Sequence, residues 1–206
     1  GDEKGLILPP KIAPHQIVIV PIYKTDEERE KVVEYSLKLK EELKEKFRVQ
    51  FDDRDNHTPG FKFNYWEQKG VPIRLNVGPK DVANNVVEIA RRDTGEKIRN
   101  VSRNGLINEL SGLMDQVQKS IFQSALKFRQ DNTVKVETYD QFKETLKGRN
   151  VFIEAYWDGN DEEEGRVKAD TKATVRVLPF NQEEEEGKCM MSGRPTRQKA
   201  IFARAY

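Results

Sequence analysis

Residues 54–74 read RDNHTPGFKFNYWEQKGVPIR and say most about how the first part of the chain folds. The stretch begins with turn chemistry, because the proline of Thr58-Pro59-Gly60 fixes φ and the glycine permits φ values that other residues rarely adopt. From Val71 onward apolar and polar residues alternate, as they do in a strand with two different sides. The stretch therefore predicts a turn, then a short helix, then a strand.

Basic and aromatic side chains are interleaved along this stretch. The pattern is typical of binding to RNA loops, because phosphates need cations and unpaired bases need flat rings on which to stack. It also fits rings that pack a short helix onto a sheet, with the lysines on a solvated side. The side chains concerned are Arg54, Lys62, Lys69, Arg74, Phe61, Phe63, Tyr65 and Trp66.

Composition limits the class of protein. At 206 residues the chain can form one large domain or two small ones, each with its own core. Charged residues make up 34% of the sequence but the net charge is only +1, so an RNA site must be a local patch. One cysteine excludes an internal disulfide and fits a reducing compartment such as the cytoplasm. No apolar run reaches membrane-spanning length, and a first residue other than Met predicts a piece of a larger polypeptide.

The wider pattern predicts a mixed α/β sheet flanked by helices, followed by a small α+β domain. The capping-box pair Thr25 and Glu28 should open a helix to about residue 46. A long amphipathic helix is expected over about residues 104–129. Strands are predicted over residues 16–22, 48–52, 71–77, 86–92 and 97–101, and the apolar side of the first helix over Val32, Val33, Leu37, Leu39 and Leu43.

The pattern restarts beyond Gln130. Thr138 and Gln141 form a second capping-box pair before Phe142. The glutamates at 183–186 must be solvated, because like charges repel and cannot be buried together. Strand candidates lie at residues 151–156, 174–178 and 199–203, and the expected divisions are a leading segment over 1–14, a first domain over 15–129 and a second domain over 130–206.

The titratable residues do not indicate catalysis. Asp52, Asp53 and Asp55 cluster at a predicted strand end, but basic neighbours balance their charge and the nearby sequence supplies no nucleophile. The two histidines have no evident triad partner. Residues 78–81, GPKD, contain too few glycines for a phosphate-binding loop. We therefore expect no catalytic residue in this chain.

Three separated motifs resemble prolyl-tRNA synthetase of the archaeal/eukaryotic type, a class II ligase. Residues 54–74, continued by NVGPKD at 76–81 and RRDTGEK at 91–97, resemble the anticodon-binding domain of that family. Residues 1–14 resemble the segment that leaves its last catalytic motif, and residues 202–206 resemble its C-terminus, which closes on a tyrosine. The motifs occur in the family's order, so the resemblance covers essentially the whole chain.

The resemblance implies a function. The whole enzyme would attach proline to tRNA(Pro) using ATP and Mg²⁺, in the cytoplasm and as a homodimer. The catalytic domain would precede this chain, so the fragment alone should be inactive and should hold no cofactor. Its partners would be tRNA(Pro) and its own catalytic domain. The alternative is a synthetase-derived interaction module in which a protein replaces tRNA, and a metal-dependent enzyme in the second domain is a third hypothesis with little support.

The family reads anticodon bases at a sheet face and at the helix after the Thr-Pro-Gly turn. By resemblance, Arg74 and Lys69 would donate to guanine O6 and N7. Glu67 and Asn56 would accept from guanine N1 and N2. The alternative for Glu67 and Arg74 is an intradomain salt bridge. The expected base contacts are Arg54, Asn56, Lys62, Trp66, Glu67, Lys69 and Arg74.

Other residues of the same region have a less specific expected role. Phe61 or Trp66 could stack on a base, although burial in the core is the favoured prediction for each ring. Phosphate contacts add affinity without sequence information. The residues expected to make them are Lys80, Arg91 and Arg92.

The second domain of the resembled family often carries a zinc ion on four cysteines. The matching positions here are Asp158, Glu163 (or its neighbour Glu164), Cys189 and Ser192. A structural zinc site needs four strong donors, usually thiolates and imidazoles. Only one of these positions keeps a thiol, so the sequence predicts that the metal has been lost and that packing and hydrogen bonds hold the loop.

Overall fold

The structure, a computed structural model, describes residues 1–180, 182 and 185–204. The chain divides into two compact units, Gly1–Ser124 and Ala125–Tyr206. Nowhere in the described residues is there a helix long and apolar enough to cross a membrane. The fold class is α/β with mixed sheets, as the sequence predicts.

The first unit is built on one mixed sheet with the strand order β2-β1-β3-β4-β5. β1 lies between β2 and β3 and is parallel to both, whereas β3, β4 and β5 pair antiparallel. The predicted strands and the hairpin are all present. The elements are β1 Ile17–Pro21, α1 Asp26–Leu43, β2 Val49–Phe51, α2 Pro59–Gln68, β3 Ile73–Val77, α3 Pro79–Asn84, β4 Val86–Arg91, β5 Lys97–Ser102 and α4 Leu106–Asp131, which runs on into the second unit.

The two sides of this sheet have different coverings. Because side chains alternate along a strand, Ile17 and Ile19 of β1 point to one side and Val18 and Val20 to the other. The first pair joins the main core with α1 and α4. The second pair joins a smaller cluster completed by Phe63 and Trp66 of α2. The register aligns Val18 with Arg74 and Val20 with Asn76, so these two polar residues of β3 share the α2 side.

Three details of the helices differ from the prediction. Thr58-Pro59-Gly60 starts a helix instead of forming a separate turn, since the Thr58 hydroxyl accepts a hydrogen bond from the Phe61 N–H at 3.3 Å and Pro59 is the first helical residue. The first helix ends at Leu43 and not near residue 46. Leu37 was wrongly assigned to its buried side, because the buried positions follow the spacing of Val32, Tyr35, Ser36, Leu39 and Leu43.

The second unit has a mixed four-stranded sheet with the strand order β6-β7-β11-β8. Its core contains Phe142, Ile153 and Phe202. Both hydrogen bonds of the predicted Thr138–Gln141 capping box are present. In the acidic run Glu185 and Glu186 are exposed as predicted, whereas Glu183 and Glu184, like the terminal Tyr206, lie outside the described residues. The elements are β6 Thr133–Lys135, α5 Tyr139–Gly148, β7 Phe152–Tyr156, α6 Asp161–Thr171, β8 Ala173–Val177, β9 Gly187–Lys188, β10 Pro195–Thr196 and β11 Lys199–Arg204.

Candidate nucleic-acid interface

The candidate interface starts at the carboxyl end of β2 and follows α2 to Glu67, which is paired with Arg74 near the start of β3. In open α/β sheets the carboxyl ends of parallel strands are where ligands usually bind, and residues 52–58 lie at that edge. β2 ends at Phe51 and leads through residues 52–58 into α2. The residues predicted to contact bases come from this connection, from α2 and from β3.

Asp52 is the centre of a buried polar cluster, the Asp52 cluster, that joins the end of β2 to α2. Its carboxylate accepts hydrogen bonds from Arg54 Nε at 2.8 Å, from Arg54 Nη2 at 2.7 Å and from Trp66 Nε1 at 2.7 Å. The Lys62 ammonium donates to the Asp52 main-chain oxygen at 3.1 Å. The cluster consists of Asp52, Arg54, Lys62 and Trp66.

The electrostatics of the Asp52 cluster are dominated by burial and by these hydrogen bonds. Burial acts to raise the pKa of the Asp52 carboxyl, but the hydrogen bonds from Arg54 and Trp66 outweigh it, so the pKa is lowered. Burial lowers the pKa of the Lys62 ammonium. Three predicted base contacts, Arg54, Lys62 and Trp66, are therefore used at least in part to fix α2 on the sheet. Sequence reasoning recognised Asp52 only as a charge-balanced strand end and missed its central place.

Arg74 organises a second set of polar side chains on the same side of the sheet, the Arg74 network. Its Nη1 donates to Glu67 Oε1 at 3.1 Å and its Nε to Asn76 Oδ1 at 3.1 Å. Asn76 donates to Glu88 at 2.7 Å, and Arg99 donates to the other Glu88 oxygen at 3.0 Å. The network crosses from α2 over β3 and β4 to β5.

The Arg74 network contains a buried cation and a more exposed carboxylate. The Arg74 side chain is 7% exposed and lies with its Cζ 3.9 Å from the Phe63 ring centroid, whereas the Glu67 side chain is 30% exposed. Burial lowers the pKa of the Arg74 guanidinium, although the hydrogen bond to Glu67 opposes this. The intradomain salt bridge offered as the alternative for this pair is present. It leaves Glu67 oriented by Arg74 and partly open to solvent.

Asn76, Glu88 and Arg99 were not among the predicted site residues. The signal that could have found them is the alternation of the strands, because Asn76 lies two residues after Arg74 and Glu88 lies between two buried residues of β4. Neighbouring strands in register place such polar residues side by side. Register between strands is not visible in a single sequence.

Lys69 and Lys80 are exposed cations among the predicted site residues. Neither side chain forms an ion pair with any residue that the structure describes. Lys69 follows α2, and Lys80 lies in α3 after the end of β3. Asn56 is also exposed and lines a cleft of about 260 Å³ with Tyr23, His57 and Lys62. All three side chains are exposed and can reach a ligand without breaking an ion pair within the described residues.

Arg91 and Arg92 are largely buried and already have carboxylate partners. Arg91 donates to both oxygens of Asp93, at 3.1 and 2.8 Å, and its side chain is 10% exposed. Arg92 donates to both oxygens of Asp2, at 2.9 and 2.5 Å, and to the Glu67 main-chain oxygen at 3.1 Å. The pKa of the Asp2 carboxyl is held well below its usual range by Arg92. The contacts of Arg92 fasten the start of the chain to the end of α2.

The two rings for which burial was the favoured prediction behave differently. Trp66 is half-buried against Val18, Val20 and Val71. Phe61 is 47% exposed, so its expected burial in the core was wrong. The physical reason is the helical period, which turns positions 62, 63 and 66 of α2 toward the sheet and position 61 away from it.

The four predicted metal positions of the second unit lie close together. Asp158 accepts a hydrogen bond from the Ser192 hydroxyl at 3.0 Å and from Arg194 Nε at 2.6 Å. Arg194 Nη2 also lies 3.7 Å from Glu163. Hydrogen bonds from Arg194 first, and then from Cys189, lower the pKa of the Asp158 carboxyl to about 2. We call Asp158, Glu163, Cys189, Ser192 and Arg194 the Asp158 cluster.

This cluster does not fit a zinc ion. The Arg194 guanidinium already pairs with both carboxylates, and a second cation among them would be repelled. One thiol, two carboxylates and a hydroxyl are also a weak donor set for structural zinc. Within the described residues no three His, Cys, Asp or Glu side chains are grouped so that they could hold a metal ion. Arg194 was missed by the sequence analysis because the resemblance compares ligand positions only.

Comparison with known protein families gives a match within each unit. Residues 16–113 match the family described as "Anticodon binding domain", and residues 139–206 match the family described as "Prolyl-tRNA synthetase, C-terminal". Among curated relatives, the protein named proline–tRNA ligase of Roseiflexus sp. (strain RS-1) is 45% identical over 208 residues, which is 100% of this chain and 43% of the relative. Relatives with the same name from Porphyromonas gingivalis and Amoebophilus asiaticus are 46% and 42% identical, and in each the match covers 100% of this chain and 42% of the relative. The chain thus spans less than half the length of these relatives.

Proposed function

Because the chain belongs to the prolyl-tRNA synthetase family, we propose that it recognises the anticodon of tRNA(Pro) as part of a proline–tRNA ligase. The whole protein would join proline to tRNA(Pro) in the cytoplasm, using ATP and Mg²⁺, and would act as a homodimer. The activating chemistry would reside in the part of the relatives that this chain does not cover. The archaeal/eukaryotic type of the enzyme stays a prediction.

The Arg74 network is the observation that supports anticodon recognition best. A carboxylate that reads guanine must accept from N1–H and N2–H in a fixed orientation. Arg74 holds one oxygen of Glu67 at 3.1 Å, and the side chain of Glu67 remains 30% exposed. We therefore assign Glu67 as the guanine acceptor and Arg74 chiefly as the residue that positions it.

The remaining predicted residues differ in whether protein contacts already occupy their side chains. Lys69, Lys80 and Asn56 are exposed and can contact bases or phosphates directly. Arg54, Lys62 and Trp66 belong to the Asp52 cluster and hold α2 in place on the sheet. Arg91 and Arg92 are engaged by acidic partners and fit a structural role better than phosphate binding.

The test compares two RNA transcripts and two variants of this chain. Wild-type protein should prefer the native tRNA(Pro) transcript over one whose two anticodon guanines are replaced, and the preference should survive moderate salt. Glu67→Gln should reduce that preference by about fivefold to a hundredfold, because an amide cannot accept both guanine protons. Glu109→Gln, an exposed site on α4, is the matched control and should leave the preference unchanged.

Three outcomes would overturn parts of the proposal. If wild-type protein binds both transcripts alike and loses both with salt, only phosphates are contacted, and a synthetase-derived interaction module becomes the better description. If Glu67→Gln keeps the full preference, Glu67 is not the guanine acceptor. Proline-dependent pyrophosphate exchange by the isolated chain would overturn the assignment of catalysis to the part of the protein not covered here.

A further inference from the structure

Residues 1–8, which we call the leading strap, lie across the C-terminal end of α2. The Leu6 N–H donates to the Gln68 main-chain oxygen at 3.1 Å, and the Leu8 N–H donates to the Gly70 main-chain oxygen at 3.3 Å. The last four carbonyl groups of a helix have no donor within the helix itself. The leading strap therefore completes the hydrogen bonding of the end of α2 from a segment distant in sequence.

The leading strap passes so close to α2 that only glycine fits at two points. Gly70 has a φ of +72°, and a Cβ there would lie 2.7 Å from the Leu6 Cβ and 2.9 Å from its main-chain carbon. Gly5 has a φ of +133°, and a Cβ there would lie 2.4 Å from the Gln68 Cα. Both φ values also favour glycine. The contact is thus specified by the residues of the leading strap and by the residues at the end of α2.

Arg92 ties the leading strap to Glu67. Its Nη1 and Nη2 donate to the two Asp2 carboxylate oxygens at 2.9 and 2.5 Å, and Nη2 also donates to the Gly5 main-chain oxygen at 3.2 Å. Its Nε donates to the Glu67 main-chain oxygen at 3.1 Å. A cation is favoured at the C-terminal end of a helix, where the carbonyl oxygens carry partial negative charge. The Arg92 side chain is only 5% exposed, so protein groups take the place of water around it.

Glu67 is thereby held at two points by two arginines. Arg92 holds its main-chain oxygen, and Arg74 holds one of its carboxylate oxygens at 3.1 Å. A hydrogen bond to a base depends on direction as well as distance, so an acceptor must be fixed at its main chain and at its carboxylate. Movement of the last turn of α2 would therefore turn the carboxylate away from the base that it reads.

We propose that Asp2 and Arg92 are positioning residues for guanine recognition, which hold the last turn of α2 and through it Glu67. The inference rests on the proposed function for the identity of the base, whereas the restraint on α2 is a property of the chain itself. Neither residue contacts the RNA in this arrangement. Loss of either should therefore reduce the preference for guanine and spare the affinity that comes from phosphate contacts.

The experiment measures dissociation constants of the folded chain for the native and guanine-replaced tRNA(Pro) transcripts. Asp2→Asn should lower the preference for the native transcript by about threefold to thirtyfold, because it removes the anion that holds Arg92. Glu3→Gln is the matched control, since Glu3 is the exposed neighbour and loses the same charge. It should leave the preference unchanged.

A double substitution tests whether Asp2 acts through Glu67. In a chain that already carries Glu67→Gln, Asp2→Asn should cause no further loss of preference, because the acceptor that Asp2 positions is gone. A role confined to general stability would give the same additional loss with or without Glu67→Gln. Circular dichroism of each variant confirms that it is folded.

Salt dependence separates positioning by Arg92 from a phosphate contact. Arg92→Gln should lower the preference for guanine and leave the slope of log affinity against log salt concentration unchanged. A phosphate contact by Arg92 would instead reduce that slope by about one when the cation is removed.

Two glycine substitutions test the contact between the leading strap and α2. Gly70→Ala should displace Leu6 and lower the preference for guanine, as Asp2→Asn does. Gly105→Ala is the matched control, because Gly105 also has a positive φ, +81°, but a Cβ there meets open space. It should leave the preference unchanged.

Hydrogen exchange tests the restraint on α2 without RNA. The Gly70 and Val71 N–H groups donate to the Glu67 and Trp66 main-chain oxygens, at 3.0 and 3.2 Å. If Asp2 helps to hold the last turn of α2, these two amides should exchange faster in Asp2→Asn than in Glu3→Gln.

The inference would be overturned if Asp2→Asn kept the guanine preference of Glu3→Gln, or if its effect were undiminished in the presence of Glu67→Gln. Equal exchange at Gly70 and Val71 in Asp2→Asn and Glu3→Gln would also overturn it. A wild-type protein without guanine preference, in which Asp2→Asn still accelerates that exchange, would instead count against the proposed anticodon readout and leave the restraint on α2 in place.

Discussion

The Asp52 cluster of the first unit and the Asp158 cluster of the second unit use the same chemistry at different depths. In each, one carboxylate accepts from an arginine and from a neutral donor, which is Trp66 in the first and Ser192 in the second. The Asp52 side chain is 1% exposed, whereas the Asp158 side chain is 21% exposed.

Depth decides what each cluster does for the protein. A buried carboxylate keeps its charge only while its donors remain, because water cannot replace a lost partner. A carboxylate near the surface can exchange a lost partner for water at little cost. We infer that the Asp52 cluster fixes the position of α2 and with it the interface, whereas the Asp158 cluster fastens a loop locally.

The largest effect is expected from Asp52→Asn. An amide keeps one acceptor oxygen but turns an N–H group toward Trp66 or Arg54, and it leaves Arg54 without its anion. Breaking a buried, hydrogen-bonded ion pair should lower the free energy of unfolding by about 3 kcal/mol. Urea unfolding followed by tryptophan fluorescence would measure this.

Asp53→Asn provides the control for that measurement. Asp53 is exposed and adjacent in sequence, so its substitution should change the free energy of unfolding by less than about 0.5 kcal/mol. Equal destabilisation by the two substitutions would show that net charge near the strand end matters and that the Asp52 cluster does not.

Acid should weaken both clusters, in a pH range set by each carboxyl. The folded pKa values of Asp52 and Asp158 are lowered, so the stability that each contributes is present above the unfolded value of about 3.9 and is lost as pH falls through the folded value. For Asp158 the folded pKa is about 2, which places the loss between about pH 4 and pH 2.

Thermal unfolding at several pH values would check this prediction for the Asp158 cluster. The difference in melting temperature between wild-type protein and Asp158→Asn should be constant at neutral pH and should shrink from about pH 4 downward. A difference that stayed constant to pH 2 would show that the Asp158 carboxylate does not stabilise the fold through its charge.

The sequence predicted the order of elements well because that order depends on local patterns. Alternation in β1 and β3, the Thr138–Gln141 capping box and the β4–β5 hairpin are all set by residues within a few positions of one another. Helices α3 and α6 were not predicted, since the first is very short and the second has its acidic start among residues interpreted as a metal loop.

The arrangement of the interface was less predictable because it depends on partners distant in sequence. Whether Phe61 or Trp66 is buried depends on the rotation of α2 about its axis, which the Asp52 cluster fixes from the end of another strand. The hydrogen-bonded ion pair between Arg92 and Asp2 joins residues 90 positions apart. The residues that flank either partner in the sequence therefore do not predict it. In the second unit, the resemblance points to a zinc site. It could not show that Arg194 supplies the positive charge between Asp158 and Glu163.

A smaller effect is expected from Arg194→Ala. The substitution removes the cation that pairs with Asp158 and Glu163, so the loop that carries Cys189 and Gly193 should open more often. Because the Arg194 side chain is 56% exposed, water replaces part of the interaction and the melting temperature should fall by a few degrees at most.

Hydrogen exchange would locate the effect of Arg194→Ala. The amides of Cys189 and Gly193 are hydrogen-bonded within the loop and should exchange faster in the variant. Arg197→Ala is the control, since Arg197 lies 4.0 Å from exposed Glu186 and should leave those amides unchanged. Similar acceleration in both variants would mean that Arg194 has no special place in the cluster.

The smallest effect is expected from removal of metal, and it separates the Arg194 cation from a zinc ion as the group that holds the loop. A chelator such as EDTA should leave the melting temperature unchanged, because Arg194 supplies the positive charge between Asp158 and Glu163. Elemental analysis should accordingly find no stoichiometric zinc in the purified chain. If zinc were found and its removal lowered the melting temperature, Arg194 would have to leave the carboxylates for the metal to bind, and Arg194→Ala would then strengthen zinc binding by removing a competing charge.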